Sequence, residues 1–286
     1  MKLRNLFDTK QVLSFEVFPP KRTAPVESIY DALDSLKNLH PDFISVTYGA
    51  GGSKNCAATL EIASSIKNKY GIESVAHLPC IYLSKEDVLE MLQSFRENGI
   101  ENILALRGDR NPDLPPGEDF RHASDLISFI KENGDFHVIG ACYPEGHTES
   151  DGLVNDIRNL RRKVDAGCDH LITQLFFDNE YFYRFRERCL LAGIDVPIEA
   201  GIMPVLNKKQ IERMVTLCGV CLPAKFTKMM ERYEHNPEAM RDAGIAYAVD
   251  QIVDLIAQGV QGIHLYTMNR PDTACRIHDS IAALLA

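Results

Sequence analysis

Residues 171–202 read LITQLFFDNEYFYRFRERCLLAGIDVPIEAGI and predict a strand, a helix and a second strand in that order. The apolar runs Leu171–Phe176 and Val196–Ile202 flank the amphipathic, charge-rich stretch Tyr181–Ala192, which ends at Gly193. Short apolar runs favour strands, and a glycine just past an amphipathic stretch is typical of a helix end. Because the apolar residues of both runs are nearly continuous, the runs indicate parallel strands covered by helices rather than half-exposed antiparallel ones.

The same unit recurs along the chain at intervals of roughly thirty residues, the rhythm of repeated strand–helix units. The other predicted strands are Val12–Phe18, Phe43–Tyr48, Ser74–Cys80, Asn102–Arg107, His137–Tyr143 and Gly262–Thr267. The other predicted helices are Val26–Leu39, Ala57–Lys69, Lys85–Asn98, Ala123–Lys131, Leu153–Ala166, Lys208–Leu217, Pro237–Gln258 and Asp272–Leu284.

Eight strands, each followed by a helix, predict an α/β fold of the (β/α)8 TIM-barrel type, with extra helices between the seventh and eighth strands. The even spacing predicts a single catalytic domain over residues 1–286. A doubly wound open sheet is the alternative architecture. It usually carries G-x-G-x-x-G after its first strand, where this chain has Phe18-Pro19-Pro20-Lys21.

The composition is that of an acidic globular protein. The 286 residues include 31 Lys and Arg against 40 Asp and Glu, which gives a formal charge of −9 at pH 7. That sign disfavours nucleic-acid and anionic-membrane partners. Met1–Lys10 lacks the apolar core of a signal peptide, and no segment approaches the roughly 20 apolar residues of a membrane span, so we expect a cytoplasmic protein.

Eight cysteines are scattered along the chain, and only Cys218 and Cys221 form a C-x-x-C pair. No second ligand pair or thioredoxin-like context accompanies them, so packing is favoured over zinc or redox chemistry. No H-E-x-x-H or G-x-S-x-G motif appears either. The sequence therefore indicates neither a zinc site nor a serine hydrolase.

The active site of a TIM barrel lies at the carboxyl ends of its strands, where this sequence places many polar residues. They are Glu16, Thr47, His77, Arg107, Gly108, Asp109, Tyr143, Glu145, His147, Gln174, Tyr266 and Arg270. We expect these side chains to form one ring around the mouth of the barrel.

Glu16 lies between aromatic and aliphatic neighbours in Phe15–Phe18. An apolar setting raises the pKa of a carboxyl group and suits it to donate a proton near neutrality, but a salt-bridged glutamate at a strand end fits the sequence equally well. The glycine-rich turn at 48–53, YGAGGS, could present backbone N–H groups to a phosphate, although it matches no nucleotide-binding motif. Arg107-Gly108-Asp109 pairs a cation with an anion around a glycine, and a surface turn would look similar.

Eight short motifs occur in order: FEVFPP at 15–20, VTYGAGG at 46–52, ALRGD at 105–109, YPEGH at 143–147, KVDAG at 163–167, ITQLFFD at 172–178, GIMP at 201–204 and YTMNR at 266–270. Together they resemble bacterial methylenetetrahydrofolate reductases nearly from end to end. The resemblance implies a TIM barrel with FAD that reduces 5,10-methylenetetrahydrofolate to 5-methyltetrahydrofolate for methionine synthesis. It further implies NADH as the usual donor, a ping-pong cycle, a homo-oligomer, and the absence of the C-terminal regulatory domain of eukaryotic members.

The resemblance also assigns roles to individual residues. It implies that Glu16 is the general acid, that Asp109 lies near the flavin and the pterin, and that Gln174 orients the folate. The implied FAD-lining positions are Thr47, His77, Arg107, Gly108, Asp109, Ala123, Tyr143, His147, Asp156, Asn159 and Lys163. The implied substrate-facing positions are Gln210, Met214, Tyr266 and Arg270.

Three of these residues are cations that suit the ligands implied for them. Arg107 and Lys163 are the cations expected to meet the flavin pyrophosphate, and Arg270 the one expected to meet a folate carboxylate. Met214 stands where some bacterial relatives have a phenylalanine. Packing of its helix against the barrel and contact with the ligand are equally compatible with the sequence.

Two rival functions remain open at this point. One is a TIM-barrel enzyme without redox chemistry, acting on a phosphorylated substrate held by the glycine turn and Arg107. The other is a folate-binding or assembly module that has lost catalysis. The sequence does not distinguish NADH from NADPH or from a protein electron donor, since no separate nucleotide-binding domain is visible.

Overall fold

Eight parallel strands form a closed barrel in the computed structural model, which describes residues 1–20, 27–48 and 56–285. Each strand pairs with the next, and β1 pairs with β8 through Val12↔Gly262 to Glu16↔Tyr266. The strands are β1 Val12–Val17, β2 Phe43–Val46, β3 Glu73–Pro79, β4 Asn102–Leu106, β5 His137–Cys142, β6 His170–Thr173, β7 Ile198–Ile202 and β8 Gly262–Tyr266. This closure confirms the TIM barrel and excludes the open sheet.

Ten α-helices surround the barrel in the described part of the chain. They are α1 Glu27–Leu36, α2 Cys56–Asn68, α3 Lys85–Glu97, α4 Ala123–Asn133, α5 Leu153–Asp165, α6 Asn179–Leu191, α7 Lys208–Cys218, α8 Ala224–Tyr233, α9 Pro237–Ala257 and α10 Pro271–Ile281. Nine of them match predicted helices, with described ends that differ from the predicted ones by at most three residues. The glycine-rich residues 49–53 and the predicted helix start at Val26 lie outside the described residues.

Helix α8 is the element that the sequence analysis missed, although extra helices were expected between β7 and β8. It begins directly after Pro223 and buries Phe226 and Met230, which stand four residues apart on one face. With only two such anchors, its periodicity is weak.

The start of α3 shows how a local motif fixes a helix end. Ser84 Oγ accepts a bond from the Asp87 N–H (3.1 Å), and Asp87 accepts one from the Ser84 N–H (2.9 Å).

The apolar residues divide into three clusters. The largest joins the outward faces of the strands to the helices. A second, built on Leu175, Phe177, Met203, Ile211 and Phe226, fills the space beneath α7 and α8. The third closes the amino-terminal end of the barrel with Leu3, Val12, Phe43, Val75, Leu104, Ile139 and Ile172. The apolar floor leaves the opposite end, at the carboxyl termini of the strands, as the place for a site.

No described helix combines the length and apolar character needed to cross a bilayer. The seven cysteines whose side chains the structure describes are free thiols, including Cys218 and Cys221. The same ranges contain no group of three or more His, Cys, Asp or Glu side chains arranged to hold a metal ion.

Candidate active site

Glu16 reaches the mouth of the barrel from β1, with 14% of its side chain exposed. Its carboxyl oxygen Oε2 lies 3.5 Å from His77 Nε2 and 3.7 Å from His264 Nε2. The expectation of an apolar setting is wrong, because alternate residues of a strand face opposite ways and Phe15 and Val17 pack outward against the helices. Burial lowers the pKa of His77 to about 4, so a neutral imidazole faces the carboxyl group at neutral pH.

Tyr266 forms a fixed aromatic wall at the end of β8. Its hydroxyl donates to the Thr173 carbonyl at the end of β6 (2.7 Å). Gly201 on β7 makes room for this ring, because a Cβ atom there would meet the Thr173 carbonyl and come within 2.8 Å of the Tyr266 hydroxyl. The hydroxyl is thereby committed to the barrel, and the ring is available for apolar contact with a ligand.

The loop after β8 is held in an unusual backbone conformation. Met268 and Asn269 have φ values of 54° and 51°, in the left-handed region. Asn269 clamps the loop after β1, since its Oδ1 accepts from the Phe18 N–H (3.0 Å) and its Nδ2 donates to the Phe18 carbonyl (2.8 Å). The clamp places the exposed Arg270 beside the strand that carries Glu16.

Three further positions predicted to face the substrate, Gln174, Gln210 and Met214, lie on the β6 and β7 side of the mouth. Gln174 Oε1 accepts from the Leu175 N–H (2.9 Å), and Gln210 Oε1 accepts from the Leu206 N–H (3.1 Å). Gln210 Nε2 is buried and has no hydrogen-bond partner among the described residues, so a donor is left for a ligand. Met214 is partly buried on the same apolar cluster as Tyr266, which leaves both of its predicted roles compatible with the structure.

A cavity of about 360 Å³ opens beside the carboxyl ends of β4 and β5. Seven of the predicted FAD positions line it: Arg107, Ala123, Tyr143, His147, Asp156, Asn159 and Lys163. Thr47, His77, Gly108 and Asp109 are not in its lining, and Asp109 is exposed. The structure thus gathers seven of the eleven predicted cofactor residues in one place.

Cations dominate the chemistry of this cavity despite the net negative charge of the chain. Arg107 donates two bonds to Glu149 (2.7 and 2.8 Å), and Nζ of the partly buried Lys163 donates to the Ala141 carbonyl (2.5 Å). Arg110 and Arg162 add two more positive groups. Hydrogen bonding to Arg107 lowers the pKa of Glu149 to about 2, and burial lowers the pKa of Lys163. Guanidinium and ammonium groups of this kind suit a pyrophosphate.

Backbone and aromatic geometry also fit a flavin nucleotide. Gly108 has φ +90°, and a Cβ atom there would come within 3.0 Å of Pro79 Cβ, so only glycine allows the β3 and β4 ends this close. Tyr143 and His147 meet edge to face with ring centroids 4.6 Å apart. The combination of four cations and an aromatic pair fits the phosphates and ring systems of FAD.

Sequence reasoning missed several residues of the site. Glu149, Arg110 and Arg162 line the cavity, and Asn269 holds the mouth together. Arg110 follows the RGD motif directly, and Arg162 precedes Lys163 within α5, so adjacency was the available signal. No sequence signal predicted the contact between Glu149 and Arg107, because it depends on how the loop after β5 folds back over β4.

Comparisons with known proteins place this architecture in a family. The profile described as methylenetetrahydrofolate reductase matches residues 2–282. A 5,10-methylenetetrahydrofolate reductase of Pectobacterium carotovorum is 41% identical over 267 residues, covering 93% of this chain and 88% of the relative. That of Escherichia coli K12 is 39% identical with the same coverage. The Arabidopsis thaliana methylenetetrahydrofolate reductase (NADH) 1 is 38% identical over 96% of this chain and 49% of its own length.

Solved structures support the fold at low sequence identity. A Clostridium thermocellum protein described as binding two copies of 5-methyl-5,6,7,8-tetrahydrofolic acid superposes with a TM-score of 0.63 at 13% identity, covering 100% of this chain and 98% of that one. Dihydropteroate synthase from Xanthomonas albilineans superposes at 0.54 with 11% identity, covering 97% and 94%. At such identities these matches show a shared barrel only.

Proposed function

Since this chain belongs to the methylenetetrahydrofolate reductase family, we propose that it uses FAD and NADH to reduce 5,10-methylenetetrahydrofolate to 5-methyltetrahydrofolate. One observation carries the proposal. A carboxyl group, Glu16, stands at the barrel mouth between the imidazoles of His77 and His264, and on the same rim lies a basic cavity with an aromatic wall. An acid beside a nucleotide-sized site is the arrangement that this reaction requires.

In this proposal the cavity residues hold the cofactor. Arg107, Arg162 and Lys163 would bind the pyrophosphate, and Tyr143 with His147 would border the ring systems. When bound, FAD supplies a two-electron carrier that accepts hydride from NADH and passes it to the folate. Because both partners would use the same mouth, we expect NADH to leave before the folate binds, which is a ping-pong cycle.

Glu16 does the acid chemistry on the folate. Its proton passes to N10 as the N10–methylene bond breaks, and the electron pair of that bond stays on N10. The methylene carbon is left as an iminium on N5, ready to accept hydride. The new carboxylate is stabilised by the nearby imidazole nitrogens of His77 and His264. Asp109, exposed on the rim, supports the cationic iminium electrostatically.

The remaining contacts orient the substrate. Gln210 Nε2 offers an unused donor, Tyr266 an apolar wall, and Arg270 an exposed cation for the glutamate carboxylate of the folate. We also propose that the protein acts in the cytoplasm as a homo-oligomer and supplies methyl groups for methionine synthesis. The NADH-type plant relative supports NADH as the donor.

Stopped-flow measurement of the two half-reactions tests the proposal. Glu16→Gln keeps the shape of the side chain but removes the acid proton, so we expect near-normal flavin reduction by NADH and a folate half-reaction slowed roughly 10²-fold or more. Glu180→Gln on the surface of α6 is the matched control and should change neither rate. Equal slowing of both half-reactions by Glu16→Gln would assign Glu16 a structural role.

The visible spectrum of the purified protein tests the cofactor separately. We expect flavin absorbance that bleaches under anaerobic NADH. A colourless protein that binds no added FAD would contradict the flavin assignment and favour the enzyme without redox chemistry, with Arg107 gripping a substrate phosphate.

A further inference from the structure

Helix α9 contains a buried glycine within its length, Gly244. Glycine inside a helix is destabilising relative to alanine, so a helical glycine requires an explanation. The loop after β7 supplies it. A Cβ atom at Gly244 would lie 1.8 Å from the Val205 carbonyl oxygen and 2.9 Å from the carbonyl carbon. Even alanine would therefore force the loop or the helix to move.

The peptide group that faces Gly244 also holds Gln210. Its carbonyl oxygen belongs to Val205 and its N–H to Leu206, and this N–H donates to Gln210 Oε1 (3.1 Å). The peptide is trans, and a trans peptide group is planar, with its C=O and N–H pointing in opposite directions. Gly244 and Gln210 thus contact opposite edges of one rigid plane. A displacement of the carbonyl oxygen tilts the N–H as well.

The bond from Leu206 fixes which way the Gln210 amide faces. An N–H donor requires the amide oxygen as its acceptor, so Nε2 is turned away from Leu206. This Nε2 atom is buried and has no hydrogen-bond partner among the described residues. A buried donor without a partner is costly unless a ligand supplies the acceptor. The direction in which Gln210 offers its donor therefore depends on the Leu206 N–H, and through that peptide on Gly244.

The same face of α9 also holds the loop after β6. Tyr247 and Gln251 follow Gly244 by three and seven residues, so the three lie along one stripe of the helix. The Tyr247 hydroxyl donates to the Phe177 carbonyl (2.6 Å), and Gln251 Nε2 donates to the Phe176 carbonyl (3.2 Å). Burial raises the pKa of Tyr247 to about 12, so its hydroxyl keeps the proton that it donates.

The loop after β6 carries Gln174, whose amide is held in the same way as that of Gln210. Gln174 Oε1 accepts from the Leu175 N–H (2.9 Å), and the next residue, Phe176, is the one whose carbonyl Gln251 binds. Both glutamine amides predicted to face the folate are thus oriented by a backbone N–H. Both of the loops that supply these N–H groups rest on α9.

We propose that α9 positions the two glutamine amides for the folate, with Gly244, Tyr247 and Gln251 as its positioning residues. The inference rests on the proposed function, in which Gln174 and Gln210 contact the folate. In this role the three residues of α9 act through the backbone of the two loops and need no contact with the substrate.

Substrate kinetics of α9 variants give the first test. Gly244→Ala adds one carbon atom against the Val205 carbonyl, and Ala246→Ser, which adds one oxygen atom on the exposed face of α9, is the matched control. Weakening one hydrogen bond changes affinity by roughly 2- to 10-fold, so we expect Gly244→Ala to raise the KM for folate by that factor. Flavin reduction by NADH should stay within about 2-fold of wild type, and Ala246→Ser should change neither quantity.

A double-mutant cycle separates positioning from a general packing effect. If Gly244 acts through Gln210, Gly244→Ala should raise the KM by less than about 2-fold more in a Gln210→Leu background. Additive effects of the two substitutions would overturn the proposal. So would an unchanged KM in a Gly244→Ala protein that folds normally. If Gly244→Ala does not fold, Tyr247→Phe carries the test in a cycle with Gln174→Leu, since it removes one oxygen atom only.

Hydrogen exchange provides a readout that does not depend on turnover. Because Gln210 Oε1 is the acceptor of the Leu206 N–H, Gly244→Ala should speed exchange at Leu206 roughly 10-fold or more in the absence of folate, and Ala246→Ser should not. Tyr247→Phe should have the same effect at Leu175. Mass spectrometry with fragmentation of the labelled peptides measures both sites.

The exchange data also separate this inference from the proposed function. Unaltered exchange at Leu206 in Gly244→Ala would refute the positioning role, whatever the KM for folate. Faster exchange at Leu206, in a protein whose flavin is not reoxidised by the folate, would refute the proposed function and leave the positioning role of α9 intact.

Discussion

At the scale of single residues, the Arg107–Glu149 pair lies in the cavity that we propose holds FAD. A pyrophosphate must compete with Glu149 for the two guanidinium bonds. Hydrogen bonding to Arg107 lowers the pKa of Glu149 from 4.5 to about 2. The contribution of the pair to stability is therefore present above pH 4.5 and is lost as the pH falls toward 2. At neutral pH the competitor is fully charged.

Glu149→Gln should increase the affinity of the apoprotein for FAD. The gain should be at most about 5-fold, because a partly exposed ion pair contributes up to about 1 kcal/mol. Quenching of flavin fluorescence on binding measures it, with Glu180→Gln as a control that keeps the cavity intact. Weaker binding by Glu149→Gln would mean that this carboxylate orients Arg107 for the cofactor.

Asn269 provides a second prediction at this scale. Asn269→Ala and Asn269→Gly both lose the two bonds to Phe18, but only alanine keeps a Cβ atom at φ 51°. We expect the alanine variant to be less stable than the glycine variant by about 1 kcal/mol, measured by urea unfolding. Both should raise the KM for folate, because Arg270 follows in the same loop. The opposite stability order would mean that loop entropy outweighs backbone strain.

At the scale of elements, α7 borders the side of the mouth that we propose for the folate. Met214 is partly buried on the cluster that also contacts Tyr266. If its side chain faces the ligand, its thioether contributes about 0.3–1.5 kcal/mol against an aromatic ring, with less defined geometry than a ring stack.

Met214→Phe should therefore change the KM values for folate and NADH by a few-fold and leave the melting temperature nearly unaltered. Ile211→Phe, at a fully packed position of the same helix, is the contrasting variant and should lower the melting temperature through overpacking. A loss of stability in Met214→Phe with unaltered KM values would assign Met214 to the core.

The helices and strands also show how much of the structure could be predicted from the sequence. Apolar runs and terminal glycines predicted every strand, since the outward face of each strand packs against the helices and is apolar. They did not predict the surroundings of Glu16, because its sequence neighbours Phe15 and Val17 point away from it. They missed α8, whose two buried anchors give little periodicity. Contacts such as Arg107 to Glu149 join different loops, and no local pattern encodes them.

At the scale of the whole molecule, the buried imidazoles make stability depend on pH. Burial lowers the pKa of His77 to about 4 and those of His137 and His170 to about 3, from 6.5. Below pH 6.5 the unfolded chain binds three protons that the folded chain excludes, so stability falls as the pH falls. Glu199 opposes this, because its raised pKa of about 7 keeps a proton that the unfolded chain releases above pH 4.5.

Net uptake of about two protons on unfolding predicts that the free energy of unfolding decreases by roughly 2–3 kcal/mol between pH 6 and pH 5. Urea titrations at several pH values measure this slope. His137→Gln should reduce the slope by about one proton, whatever it does to stability at pH 7. A flat profile over this range would contradict the neutral, buried state of these imidazoles.

The barrel closes by pairing β1 with β8, which is synthesised long after β1. Val12 pairs with Gly262, so β1 leaves the ribosome roughly 250 residues before its partner exists, and at about 5–20 residues per second that delay is about 12–50 s. Until β8 arrives, the edge of β1 and the inner wall of the barrel face water. Ser14 and Glu199, which line that wall, are groups that water solvates well. A nascent barrel lined in this way exposes less apolar surface to neighbouring chains than an all-aliphatic one would.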